Sequence, residues 1–398
     1  MPSIRRSSFA LSCLAYLSIA VAGSALGLLW PSMRLTWHQP LSALGVLLIV
    51  GVTASVLASL GAGRLLPRLG AGPMVAAGAV LPTVALAVEA VAPFIWVFAL
   101  GMVVFGLGFG ALDTVLNTNA AARFGPRQIN WMHASYGLGA TVGPLLVTAL
   151  RPAGLGWRGT FGALALLQGA VAVVLSLAWR SWGQPASRPG PPESAEIARP
   201  PAPGARIPVL AVLVPAAFAA VECGIEAGAG VWGYVYLTAG RGLAPDLAGV
   251  AVSGYWATMF AGRAVLGPLA ERAGATRVLT GGVAGLIVGG ILLTVPAPPG
   301  LPAAALPLAG LAVLGLAAAP IFPLLTLTTA ERTGRAGASW VVSVQVAASA
   351  AGNAALPAAM GLVIGALTAA ALGPSLLVLS VVLLGLYAWL HHGPRTKE

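Results

Sequence analysis

Three carboxylates set inside apolar stretches are the side chains of this sequence best suited to chemistry. Asp113 stands in FGLGFGALDTVLN, from Phe105 to Asn117, and Glu222 and Glu226 stand in VECGIEAGAGVW, from Val221 to Trp232. Hydrocarbon surroundings make an ionised carboxylate expensive, so such a residue faces a water-filled path or a partner. Acids of this kind in both halves of a chain fit a protein that moves protons together with a solute. Asn117 lies one helical turn after Asp113 on the same face and can donate to the carboxylate or to a solute hydroxyl. Glu222 and Glu226 are four apart and stack on one face, where two carboxylates resist joint ionisation. A neutral acid bonded to a neighbouring helix for packing is the bland alternative. Because intramembrane acids are functional by default, the expectation is proton coupling by Asp113, by Glu226, and by Glu222 as a partner.

Around these acids stand groups that could shape a pocket. Trp232 follows Gly228 and Gly230, which permit a bend, and its ring can stack on the apolar face of a sugar. Tyr234 and Tyr236, at the end of the same span, read better as an interfacial belt. Gln345 and Asn353, eight apart and on roughly one face, can hydrogen-bond solute hydroxyls or serve as glue between helices, as can Gln168. His133, at the start of a span, is either a proton relay or a polar cap. Other chemistries find no support. Cys13 and Cys223 are isolated, with neither disulfide framework nor metal-ligand spacing. Gly106, Gly108 and Gly110 form a GxGxG in mid-span, where a nucleotide fingerprint has no strand before it. No P-loop and no cluster of nucleophile, base and metal ligands is present, so neither an enzyme nor a bound cofactor is implied.

The elements that must carry these residues follow from composition. The 398 residues are 58% hydrophobic and only 8% charged, with a mean hydropathy of +0.91. A soluble domain carries roughly 25% charged residues. The pattern reads as an all-α integral membrane protein with twelve transmembrane helices, at about 9–30, 41–63, 72–91, 94–118, 130–150, 158–180, 207–237, 246–269, 276–295, 303–329, 337–362 and 367–390. Arg5 and Arg6 before an apolar run imitate a signal peptide, but an uncleaved first helix looks the same, and the even span count takes it as one. Residues 181–206, rich in Pro, Ser and Ala, form a linker between two six-helix halves, 1–180 and 207–398. The formal net charge of +11 comes from basic residues dealt out between spans, which is no nucleic-acid face. Sixteen of the 21 Lys and Arg residues lie on the side holding both termini, four (Arg34, Arg151, Arg158, Arg241) lie opposite, and Arg263 is inside a span. That bias places both termini in the cytoplasm.

An internal repeat ties the halves together. Gly63-RLLPRL-Gly70 follows the second span and Gly267-PLAERA-Gly274 follows the eighth, 204 residues later. Both copies resemble the loop signature of the major facilitator superfamily, whose architecture is two parallel six-helix repeats. The resemblance implies a gating role for Arg68, Glu271 and Arg272. It also implies one for Arg263, which needs an anion or carbonyls and has Glu271 eight residues on. Pro67 stands where the first copy should have its acid. The runs 106–117, 223–232, 256–267 and 321–327 resemble the fourth, seventh, eighth and tenth helices of the fucose:proton symporters and their glucose/mannose:proton relatives. On that resemblance Glu226 takes the place of the family's acid. Gly139-ATVG-Pro144 is similar to a fifth-helix motif frequent in proton-driven drug exporters.

The expected protein is therefore a multi-pass transporter of a bacterial-type inner membrane, in contact with lipid and working as a monomer by alternating access. Its partners are a small-molecule substrate and protons. Asp113, Glu226 and Glu222 would couple protons to a small polar solute of monosaccharide type, with Asn117, Trp232, Gln345 and Asn353 forming the pocket. The alternative is a proton-coupled exporter of drug-like or amphiphilic compounds.

Overall fold

Residues 2–182, 208–329 and 335–392 are described in this computed structural model, and every long regular element among them is an α-helix. In chain order these are α1 (Pro2–Thr36), α2 (Ala43–Leu69), α3 (Ala71–Val91), α4 (Ile95–Arg123), α5 (Pro126–Leu150), α6 (Gly156–Leu177), α7 (Val209–Val235), α8 (Pro245–Ala273), α9 (Ala275–Thr294), α10 (Ala305–Ala318), α11 (Ile321–Leu327), α12 (Arg335–Ala366) and α13 (Leu372–His392). Ten stretches are long and apolar enough to cross a membrane, with α10 and α11 counting as one, Ala305–Leu327. The helices outside that count, α5 and α8, have 25 and 29 residues. They are long enough but carry more polar side chains, among them Gln128, Asn130 and His133 in α5 and Asp246, Arg263 and Glu271 in α8. All twelve expected spans thus form as helices. The proline-rich stretch expected at 181–206 lies outside the described residues apart from Ser181 and Trp182.

The structure departs from the expected boundaries where proline acts. The tenth span is two helices, interrupted at Ala319–Pro320, because Pro320 has no N–H to donate and its ring crowds the preceding turn. The helix restarts when Leu324 N–H reaches the Pro320 carbonyl at 3.0 Å. The seventh span ends in a π turn, Tyr236–Gly240. Between α2 and α3, Gly70 sits at φ 81°, and between α8 and α9, Gly274 sits at φ 92°. That left-handed region suits glycine, and both copies of the repeated loop use it to reverse the chain within one residue.

By contacts the chain divides into two compact units, Met1–Gly190 and Pro191–Glu398. In the first, α1 packs on α5, α2 on α4, and α3 on both α4 and α6. In the second, α7 packs on α12, α8 on α10, and α9 on both α10 and α13. Counting α10–α11 as one span, these are the same pairings, so the repeat seen in the loops extends to the packing scheme. Glycines make the pairs close. A methyl at Gly106 would strike the Gly51 carbonyl of α2, and one at Gly315 would strike the Tyr255 carbonyl of α8. Gly110 and Gly108 are similarly occluded, by Ser55 of α2 and Pro82 of α3. The glycine-rich middle of α4 is therefore a packing surface. In the first unit the apolar core gathers Tyr16, Met74, Leu112, Leu116, Phe124, Met132, Leu175 and Trp182.

Candidate functional site

In the first unit the acid is held by a triad. The Tyr16 hydroxyl of α1 donates to Asp113 Oδ1 at 2.7 Å. Asn117 Nδ2 donates to the same oxygen at 3.1 Å and to the Tyr16 hydroxyl oxygen at 2.9 Å. It also reaches the Asp113 backbone carbonyl at 3.0 Å, as the one-turn spacing of α4 dictates. Tyr16 is only 3% exposed, so its ring fixes the hydroxyl. Two donors thus converge on Oδ1. His133 of α5 faces the Tyr16 ring, with centroids 5.3 Å apart. It is thus part of this cluster, where the sequence left it as either relay or cap. Tyr136 stands edge-on to Tyr16 with centroids 6.4 Å apart. The proximity of α1 and α5 that brings these groups together comes from Gly139 and Gly143, over which the Leu17 and Val21 carbonyls pass. The exporter-like motif of α5 here does packing.

In the second unit Glu222 and Glu226 project from α7 one turn apart, as expected. Glu222 is 1% exposed; its Oε2 accepts from the Cys223 thiol at 3.2 Å, and its Oε1 has no partner among the described residues. Glu226 is more open and faces Arg263 of α8, with Nη2 to Oε1 3.6 Å apart. Arg263, expected beside Glu271 at the gate, instead pairs with Glu226. The reason is the antiparallel α7–α8 seam, which sets residue 226 against residue 263. Tyr255 of α8 donates its hydroxyl to the Glu226 backbone carbonyl at 2.9 Å, fixing the same seam.

Several pocket candidates are placed differently from the sequence reading. Trp232 is fully buried and donates its indole N–H to the Pro357 carbonyl of α12 at 2.8 Å. Its ring lies over Gly361, so it packs α7 on α12 and offers no open face. Gln345 is also fully buried and bonds Thr329 at 2.9 Å, which makes it helix glue. Asn353, eight residues on, is exposed, so the two amides do not act together. Tyr236, read as a belt residue, is buried with its hydroxyl on the Leu293 carbonyl at 2.6 Å. Arg68, Glu271 and Arg272 are exposed at the ends of α2 and α8.

Sequence reasoning missed Tyr16, Tyr255, Trp256 and Glu89. Glu89, near the end of α3, is 2% exposed, and its Oε1 has no partner among the described residues. Its Cγ packs where a Gly101 methyl would be, in the α3–α4 seam. An acid two residues from the end of an apolar run was the available signal. For the tyrosines the only signal was a hydroxyl in a span. Among the described residues no group of three or more His, Cys, Asp or Glu is arranged to hold a metal ion.

The sequence profile of the Major Facilitator Superfamily matches residues 12–357. The chain belongs to that family: it is a multi-pass membrane transporter and not an enzyme. Its fold is similar to that of a point mutant of the nucleoside transporter NupG, with TM-score 0.75 and 14% identity over 97% of this chain and 100% of the other. It is also similar to the peptide transporter POT in complex with sulfate, with TM-score 0.71 and 14% identity over 96% and 94% of the two chains. No curated protein sequence matches the chain significantly.

Proposed function

We propose that this transporter couples proton movement to uptake of a small polar solute of the monosaccharide class by alternating access. The observation that carries the reading is the Tyr16–Asp113–Asn117 triad, a carboxylate in an apolar span with both its donors on one oxygen. The triad supports the reading because an ionisable side chain held inside an apolar span is a functional group by default. His133 stands beside the triad with its ring against that of Tyr16. Glu226 is the second coupling group, its charge set against Arg263, and Glu222 lies behind it. Asn117 keeps its amide oxygen for a solute hydroxyl, and Asn353 is the exposed amide of α12; both are proposed contacts. Trp232 and Gln345 support the helices behind them. Arg68, Glu271 and Arg272 are proposed to act at the gate on the cytoplasmic side of a bacterial-type inner membrane, where the arginine bias puts both termini.

The test is solute-driven proton flux into proteoliposomes loaded with a pH dye, with a panel of hexoses, sugar acids and cationic drugs. Acidification of the lumen on adding a sugar-class solute is expected. Proton movement in the opposite direction, driven by drugs alone, would establish the exporter instead.

A further inference from the structure

On the symport reading above, the α7–α8 seam holds more donors than its own residues use. Arg263 meets Glu226 through Nη2 alone, at 3.6 Å, and its buried Nε has no partner among the described residues. Two turns earlier on the same face of α8, about 10 Å along the axis, the indole N–H of Trp256 is also buried without a partner. Gly230 of α7, one turn from Glu226, is what admits the Trp256 ring: a methyl there would meet its Cζ2. Tyr255 braces the ring from the side, with centroids 5.2 Å apart at 68°. A desolvated N–H without an acceptor is costly, and two on one face beside Glu226 favour an acceptor that arrives with the solute.

Charge decides what kind of acceptor. The ionisable groups near Glu226 are Glu222 and Cys223 on α7 and Tyr255 and Arg263 on α8. Neither α10 nor α11 carries an ionisable side chain, and on α13 Tyr387 stands against Phe218, one turn before Glu222. With buried Glu222 counted neutral, Glu226 and Arg263 cancel. Once Glu226 takes up a proton, the seam carries the single positive charge of Arg263, in surroundings where an uncompensated charge is costly. A neutral solute leaves that charge standing; an anion removes it.

We infer that Arg263 and Trp256 form the solute-binding face of the second unit and that the solute is a carboxylate-bearing monosaccharide derivative, carried in with one proton. Arg263 takes the carboxylate as Glu226 releases it, and the Trp256 indole N–H donates to an oxygen of the sugar, whose apolar face lies on the ring. Transport is electroneutral at that stoichiometry.

The experiment uses the full chain in proteoliposomes with a lumenal pH dye, protein-free vesicles giving the baseline, and matched pairs: glucuronate against glucose and galacturonate against galactose. An acid is expected to acidify the lumen at least tenfold faster than its neutral partner, with no voltage-dye signal. Trp256→Phe, which keeps a ring, should raise the apparent KM for that acid several-fold with little change in maximal rate. Arg263→Gln should abolish the preference for acid over neutral sugar. A neutral hexose that drives protons as well as its acid would overturn the inference while leaving sugar symport standing. Proton movement driven only by drugs would overturn both. If neither acid outpaces its partner in the native protein, or if Arg263→Gln keeps the preference, the assignment of Arg263 fails whatever else is transported.

Discussion

Asp113 gains its meaning from its two neighbours. The Tyr16 and Asn117 bonds to Oδ1 restrict the carboxylate to one orientation. Tyr16→Phe removes the shorter of them and leaves the ring in place. It is expected to lower stability by about 1 kcal/mol, the scale of interhelical hydrogen bonds in membranes, measurable by melting in detergent, and to slow net uptake more than solute exchange. An unchanged ratio of uptake to exchange would make the tyrosine a packing residue. Glu89 offers a contrast, since its buried Oε1 has no partner among the described residues. Glu89→Gln should leave uptake intact and stability equal or higher; a loss of uptake would make Glu89 a further coupling site. Asp113 and Asn117 were legible because both lie on one helix, where spacing alone puts them together. Tyr16 and the Arg263–Glu226 pair were not, because they join different helices and depend on a packing register that no local pattern records.

Helix pairing sets that register, and small residues set helix pairing. A methyl at Gly106 would strike the Gly51 carbonyl, whereas Gly63 has open space around its Cβ position. Gly106→Val is accordingly expected to cost about 1–3 kcal/mol by overpacking and to lower the melting temperature in detergent. Gly63→Ala should be neutral or stabilising by at most about 1 kcal/mol. Equal effects at the two sites would show that α2–α4 contact does not limit stability. The spans themselves were readable in sequence because apolar length is a long-range signal that local detail cannot hide. The break at Ala319–Pro320 was read through, since apolar content continues across it while the backbone does not. Trp232 shows the same limit: an aromatic near glycines fits a pocket wall and a helix seam equally, and only the Pro357 carbonyl at 2.8 Å assigns it to the seam.

At the scale of the whole molecule, each unit repeats one pairing scheme, and its repeated loop turns on a glycine at positive φ. On the arginine bias we propose that both termini face the cytoplasm. A reporter fused after Glu398 should then fluoresce if it is a cytoplasmic-folding fluorescent protein and stay inactive if it is a periplasmic phosphatase; the converse pattern would invert the orientation. The claim on which the functional reading rests is that Asp113 is essential to proton coupling. Its most direct measurement compares the native protein with Asp113→Asn in proteoliposomes, following lumenal pH and labelled solute together, with whichever sugar-class solute acidifies the native vesicles. Loss of solute-driven acidification with solute exchange retained is the expected result. Acidification undiminished in Asp113→Asn would contradict it and leave the triad a structural bond between α1 and α4.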